Sequence, residues 1–167
     1  MSEDNKSQHE ATNPPLYVKR NELDFNELHE ARTVDADLQM QVKLSHIGIE
    51  RGITLLIGGT LVTGTLISAS RYFEMTAIDY ERKDGEPENN IFANTIRDRA
   101  KRIQKTFELQ SEVEPADDEV DVGPSYIHLK NAHYVTGGNI IPANGSVLWR
   151  GKISSVDGFH IGRLSTS

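Results

Sequence analysis

The sequence predicts a mainly β chain with helices, of the α+β class: a small, strongly bent five-stranded barrel with an N-terminal helix and a helical insertion. Three observations carry this reading. Two β-branched runs, Ile53–Ile57 and Thr60–Ala69, flank Gly58-Gly59. A second set of short alternating runs fills residues 125–164. Between the two sets lies the clearest helical spacing in the chain, at residues 92–107.

Taken in order, residues 35–47 fit either period. Met40, Leu44 and Ile47 have helical spacing, while Leu38, Met40, Val42 and Leu44 alternate. Asp35 or Asp37 as a cap and Gly48 as a stop favour a helix. Gly58-Gly59 between β-branched runs is a hairpin signal, because glycine accepts the positive φ of a two-residue turn. Gly64 within the second run permits a bend or a close backbone approach. Ser70 opens a short helix with Tyr72, Phe73, Thr76, Ala77 and Tyr80 on its apolar side. Lys83–Asn90, with Asp84-Gly85 and Pro87, reads as a loop.

Phe92, Ile96, Ala100, Ile103 and Phe107 then recur at +4, +4, +3 and +4, one stripe of a helix. The other face carries Arg97, Arg99, Lys101, Arg102 and Lys105. Ser125–Val135 alternates as a strand. Residues 136–146 form a turn-rich connection. Val147–Ser155 and Gly158–Leu164 read as two strands joined at an Asp157-Gly158 turn. Five short strands bent at glycines point to an SH3-like or Sm-like barrel, since a flat sheet would expose long edges.

Charge divides the chain of 167 residues unevenly. The net charge of −7 splits into −4 over residues 1–36, −1 over 37–82, −5 over 83–122 and +3 over 123–167. Glu108–Asp121 holds seven acids and no base, and reads as a solvated loop. Residues 1–34, polar and with Pro14-Pro15, read as a disordered acidic tail. Residues 35–167 read as a single barrel domain, with the helical and acidic-loop insertion at about 70–122. The net acidity disfavours general nucleic-acid or anionic-membrane binding. The longest low-charge run, Gly52–Ser70, contains two adjacent glycines and many Thr and Ser residues, so it reads as paired strands and not as a membrane span. The start MSEDNKSQHE has no basic n-region and no apolar h-region, so no signal peptide is expected.

No catalytic constellation stands out, and no enzyme, cofactor or metal site is expected. Cysteine is absent, which excludes thiolate chemistry. The six histidines show no HExxH spacing, and His128 and His133 read as partly exposed strand residues. Gly58-Gly59-Thr60 lacks the Lys-Ser/Thr of a phosphate loop. Trp149-Arg150-Gly151 is the most distinctive local element. Arg150 could stack on a nucleobase, as in Sm-like modules, or pair with an acid beside a packed Trp149.

Two blocks resemble the gas vesicle protein U family. The first is ITLLIGGTLVTGTLISASRYFE, Ile53–Glu74. The second is YIHLKNAHYV, Tyr126–Val135, followed by LWRGKISSVDGFHIGRL, Leu148–Leu164. The resemblance implies a cytoplasmic, non-enzymatic accessory protein, distinct from the shell subunits, that aids assembly or clustering of gas vesicles. Its implied partners are the vesicle surface or other gas vesicle proteins. An open strand edge also accommodates a homo-oligomer. The competing reading is an Sm-like oligomeric RNA-binding module, which nucleic-acid retention would reveal. The expected interaction residues are Tyr72 and Phe73 after the hairpin, Trp149 and Arg150 on a strand, and Phe159 after the Asp-Gly turn.

Overall fold

The computed structural model describes residues 17–19, 34–84, 90–111, 119–121 and 123–164. Most of the expected acidic tail, most of the 83–90 loop and the centre of the acidic run lie outside the described residues. Two pieces of them are described: strands β1 (Tyr17–Lys19) and β4 (Glu119–Asp121) form a two-stranded antiparallel ribbon, with Tyr17 opposite Asp121. The tail segment thus includes a strand where the sequence suggests none.

Helix α1 spans Ala36–His46. The Asp35 carboxylate accepts the Leu38 backbone N–H at 3.0 Å, which satisfies one of the orphan donors of the first turn. The helix forms as expected, but on another face. Leu38, Val42 and Ser45 are buried, whereas Met40 and Ile47 face solvent. The apolar sequence pattern suits both faces, and only the sheet beneath α1 selects one.

Strands β2 (Arg51–Ile57) and β3 (Thr60–Ile67) form the expected hairpin, with Ile57 opposite Thr60. Gly58 and Gly59 take φ of +55° and +80°. Such a turn is open to glycine at little cost. Gly64 serves space and not φ: a Cβ there would lie 3.2 Å from both the Ala132 Cα and the Leu129 Cβ of the neighbouring strand.

Helix α2 spans Ala69–Asp84, 16 residues, and is longer than the short helix expected. Ser68 caps it by accepting the Arg71 N–H at 3.2 Å. Helix α3 spans Ile91–Ser111 and is capped by Asn90, whose side-chain oxygen accepts the Ala93 N–H at 2.9 Å. Two bonds fix the helices as an antiparallel pair: Arg97 to Glu81 at 2.5 Å and Ser70 to Gln104 at 2.9 Å. The buried stripe of α3 runs through Ala93, Ala100 and Ile103, and Phe92 is 73% exposed, contrary to the predicted stripe. Small residues (Ala77, Ala93, Ala100) let the helix pair approach closely, so alanine takes the contact positions. Arg97 also leaves the predicted solvated face, because it pairs with Glu81.

Strand β5 (Tyr126–Thr136) lies between β3 on one side and two short strands on the other. Strand β6 (Asn139–Ile141) folds back across Gly137-Gly138, a second Gly-Gly hairpin within the predicted connection. Strand β7 (Val147–Lys152) pairs with the N-terminal half of β5. A single turn of 3-10 helix, Ile153–Ser155, leads to β8 (Gly158–Ile161), which pairs with β2. The sheet order is β6-β5-β3-β2-β8, with β7 on the outer edge of β5.

Three expectations change here. The main sheet has six strands, not five. It is not closed: among the described residues no ladder joins β8 to β6 or β7, so the SH3-like or Sm-like barrel becomes an open antiparallel sheet. Asp157-Gly158 is not a hairpin turn, because β7 and β8 lie at opposite sides of the sheet. The segment is a corner. Ile153 accepts its place by donating its N–H to Ser125 O at 3.0 Å, and Asp157 donates its N–H to Leu56 O at 2.9 Å.

The main core joins Leu38 and Val42 of α1 to Ile53, Leu55, Val62, Leu66, Ile127 and Leu129 of the sheet, and Ile153 seals the corner. Strand alternation puts Ile67 and His128, which face each other in the β3–β5 ladder, on the opposite side of the sheet from Leu66 and Leu129. That second side is covered by α2. On β2 and β3 two buried hydroxyls satisfy each other, Thr54 and Thr63 at 3.0 Å. Thr54 also donates to Gly162 O at 2.9 Å, and Thr63 accepts the Leu164 N–H at 2.9 Å.

Candidate functional site

A cleft of about 110 Å³ opens where the end of α1, the start of α2 and the last turns of α3 meet β5 and β7. Local periodicity delivers its lining. Arg99, Ile103 and Phe107 are four residues apart on α3, so they form one stripe. Ala69 and Phe73 do the same on α2. Tyr126 and His128 are two apart on β5, and Arg150 of β7 is the ladder partner of His128. His46, the last residue of α1, stacks on Phe107 with ring centroids 4.6 Å apart and planes 15° apart.

His128 stands at the centre. It is 3% exposed, and among the described residues neither of its ring nitrogens has a hydrogen-bond partner. Tyr72 packs against it at 4.9 Å and Phe73 at 6.0 Å, centroid to centroid. Burial pushes its pKa from 6.5 to about 3, helped by the charges of Arg150, His46 and Arg99. His46 is held at about 4 by burial. Both imidazoles are therefore neutral at pH 7. Each arginine rests on an aromatic face. Arg99 Cζ is 4.4 Å from the Phe73 centroid, and Arg150 Cζ is 3.5 Å from that of Tyr126.

Of the five expected interaction residues, three converge here: Tyr72, Phe73 and Arg150. Arg150 stacks on Tyr126 and not on an acid. The other two belong to the main core. Trp149 is half-buried against it, with its ring over Gly151. Phe159, also half-buried, lines a separate groove with Val34, Leu38 and Ile153. Sequence reasoning missed His46, Arg99, Phe107, Tyr126 and His128. The reading of His128 as a partly exposed strand residue is overturned by its burial. A signal was present in Ile127-His128-Leu129, where a strand covered on both faces buries every residue. His133, by contrast, reaches Gly145 O at 2.8 Å near the surface.

Among the described residues no group of three or more histidine or acidic side chains could hold a metal ion. No helix among them is long and apolar enough to cross a membrane. A family model described as Gas vesicle protein GvpU-like matches residues 35–164. The chain belongs to that family. The match spans α1 through the corner and β8, so the helix pair and the cleft both fall within the GvpU-like region. Searches of curated proteins and of solved structures found no match. GvpU-like membership makes this a gas vesicle accessory protein and confirms the family resemblance carried by the two sequence blocks.

Proposed function

We propose that the chain is a non-enzymatic cytoplasmic protein that aids assembly or clustering of gas vesicles through protein–protein contacts. The observation that carries this reading is the GvpU-like match over residues 35–164. Surface chemistry supports it. The far end of the helix pair exposes Ile78 and Tyr80 on α2, and Ile91 (78%) and Phe92 (73%) on α3. Large exposed apolar side chains on both helices of the pair suit a contact surface. Among the described residues the outer edge of β8 pairs with no strand, which suits strand addition by a partner or a second copy.

Flotation of purified gas vesicles with the full chain, with and without added salt, tests the proposal. The protein should rise with the vesicles, and an Ile91→Ser/Phe92→Ser variant should rise less. Protein that stays in solution with intact vesicles would overturn direct vesicle binding. Binding that vanishes at high salt would assign the contact to the charged segments instead of the helix tip.

A further inference from the structure

We propose that the cleft around His128 is a binding site for a carboxylate carried on an apolar stem. Its inner walls are apolar and aromatic: Phe73, Ile103 and Phe107, with the stacked His46 ring. Its polar equipment is cationic or neutral. Arg99 and Arg150 both line it, and among the described residues no aspartate or glutamate does. Among the described residues neither guanidinium has a carboxylate partner, and each is oriented by an aromatic face. Guanidinium forks match carboxylate oxygens in pairs, and stacking on a ring preorganises the fork.

His128 is the second, independent observation. A side chain 3% exposed with both ring nitrogens unpaired is an exception to the rule that buried polar groups are satisfied. It lines the same cleft, and its nitrogens are covered as the ring stands, so the ring must turn for a ligand carboxylate there to accept its N–H. The volume of about 110 Å³ suits a short branched acid or the terminal residue of a peptide, and not a nucleotide. Both sources present the same chemistry. The site goes beyond the gas vesicle reading and does not depend on it.

The test uses the full chain and two matched pairs of probes. Isovalerate is compared with its neutral amide. A tripeptide ending in a free Leu carboxylate is compared with the same peptide amidated. Binding is followed by NMR through the His128 ring proton Cε1–H. Isovalerate should shift that proton, with a Kd on the order of 1–10 mM for so few atoms. The amides should bind at least about tenfold more weakly, because they lack the charge that the arginines recognise. An Arg99→Gln/Arg150→Gln variant of unchanged melting temperature should lose about tenfold for the acids. A free-carboxylate peptide that outcompetes isovalerate would assign the site to a partner's chain end, and the reverse order would assign it to a small acid. Equal affinity for acid and amide overturns the proposal on the wild-type protein alone. So does the absence of any shift at His128 with acid in large excess.

Discussion

Trp149 folds over Gly151, two residues along the same face of β7. A Cβ built on Gly151 would lie 2.7 Å from Cζ2 of the indole, closer than real carbon atoms approach. The glycine in Trp149-Arg150-Gly151 is therefore a seat for the ring, and the ring in turn packs on the main core.

Gly151→Ala should push the indole off its seat and cost about 1–3 kcal/mol, as overpacking typically does. Trp149 is the chain's single tryptophan, so its fluorescence reports the displacement directly. Urea unfolding gives the stability loss. An unchanged emission maximum with unchanged stability would remove the steric account.

His128→Leu should stabilise the protein, by on the order of 1 kcal/mol. It replaces a buried imidazole with unpaired nitrogens by an apolar side chain of similar volume, and so removes an unsatisfied polar group. Thermal unfolding at pH 7.5 measures the change.

Stability should fall as pH falls below about 6.5. His46 and His128 have folded pKa values near 4 and 3, against 6.5 in the unfolded chain. Between those values the unfolded state binds more protons, so the stability present above 6.5 is lost on acidification. Each histidine contributes a slope of up to about 1.4 kcal/mol per pH unit. Urea midpoints at pH 7.5, 6.0 and 5.0 give the slope, and His46→Phe/His128→Leu should flatten it.

Glu81→Ala should cost about 1 kcal/mol, and Glu74→Ala close to nothing. Both acids pair with an arginine, but the Arg97–Glu81 pair bridges α2 and α3 and is largely sheltered. Arg71–Glu74 is half-exposed within one helix turn, where ion pairs contribute little. Paired melting curves distinguish the two positions.

The local part of the fold was legible from sequence. Gly58-Gly59 placed a hairpin, Asp35 or Asp37 placed a helix start, and the 92–107 spacing placed α3. Legibility ended where a choice depended on a distant partner. Asp157-Gly158 has the composition of a hairpin turn, yet its flanking strands pair with β5 and β2 instead of each other. Phe92 fits the helical stripe, yet alanines take the helix contact. The cleft shows the same limit. Tyr72, Phe73 and Arg150 were legible as distinctive aromatic and basic residues. His128 was not, because its burial comes from helices inserted between β3 and β5.

The corner between β7 and β8 also sets the order in which the molecule can be completed. Thr54 bonds to Gly162, a separation of 108 residues, and β8 is the outer neighbour of β2. During synthesis the β2–β3 hairpin therefore waits with one rim bare until Gly158–Ile161 arrives. Contacts this remote in sequence slow folding, and a bare strand rim is where nascent chains adhere to one another.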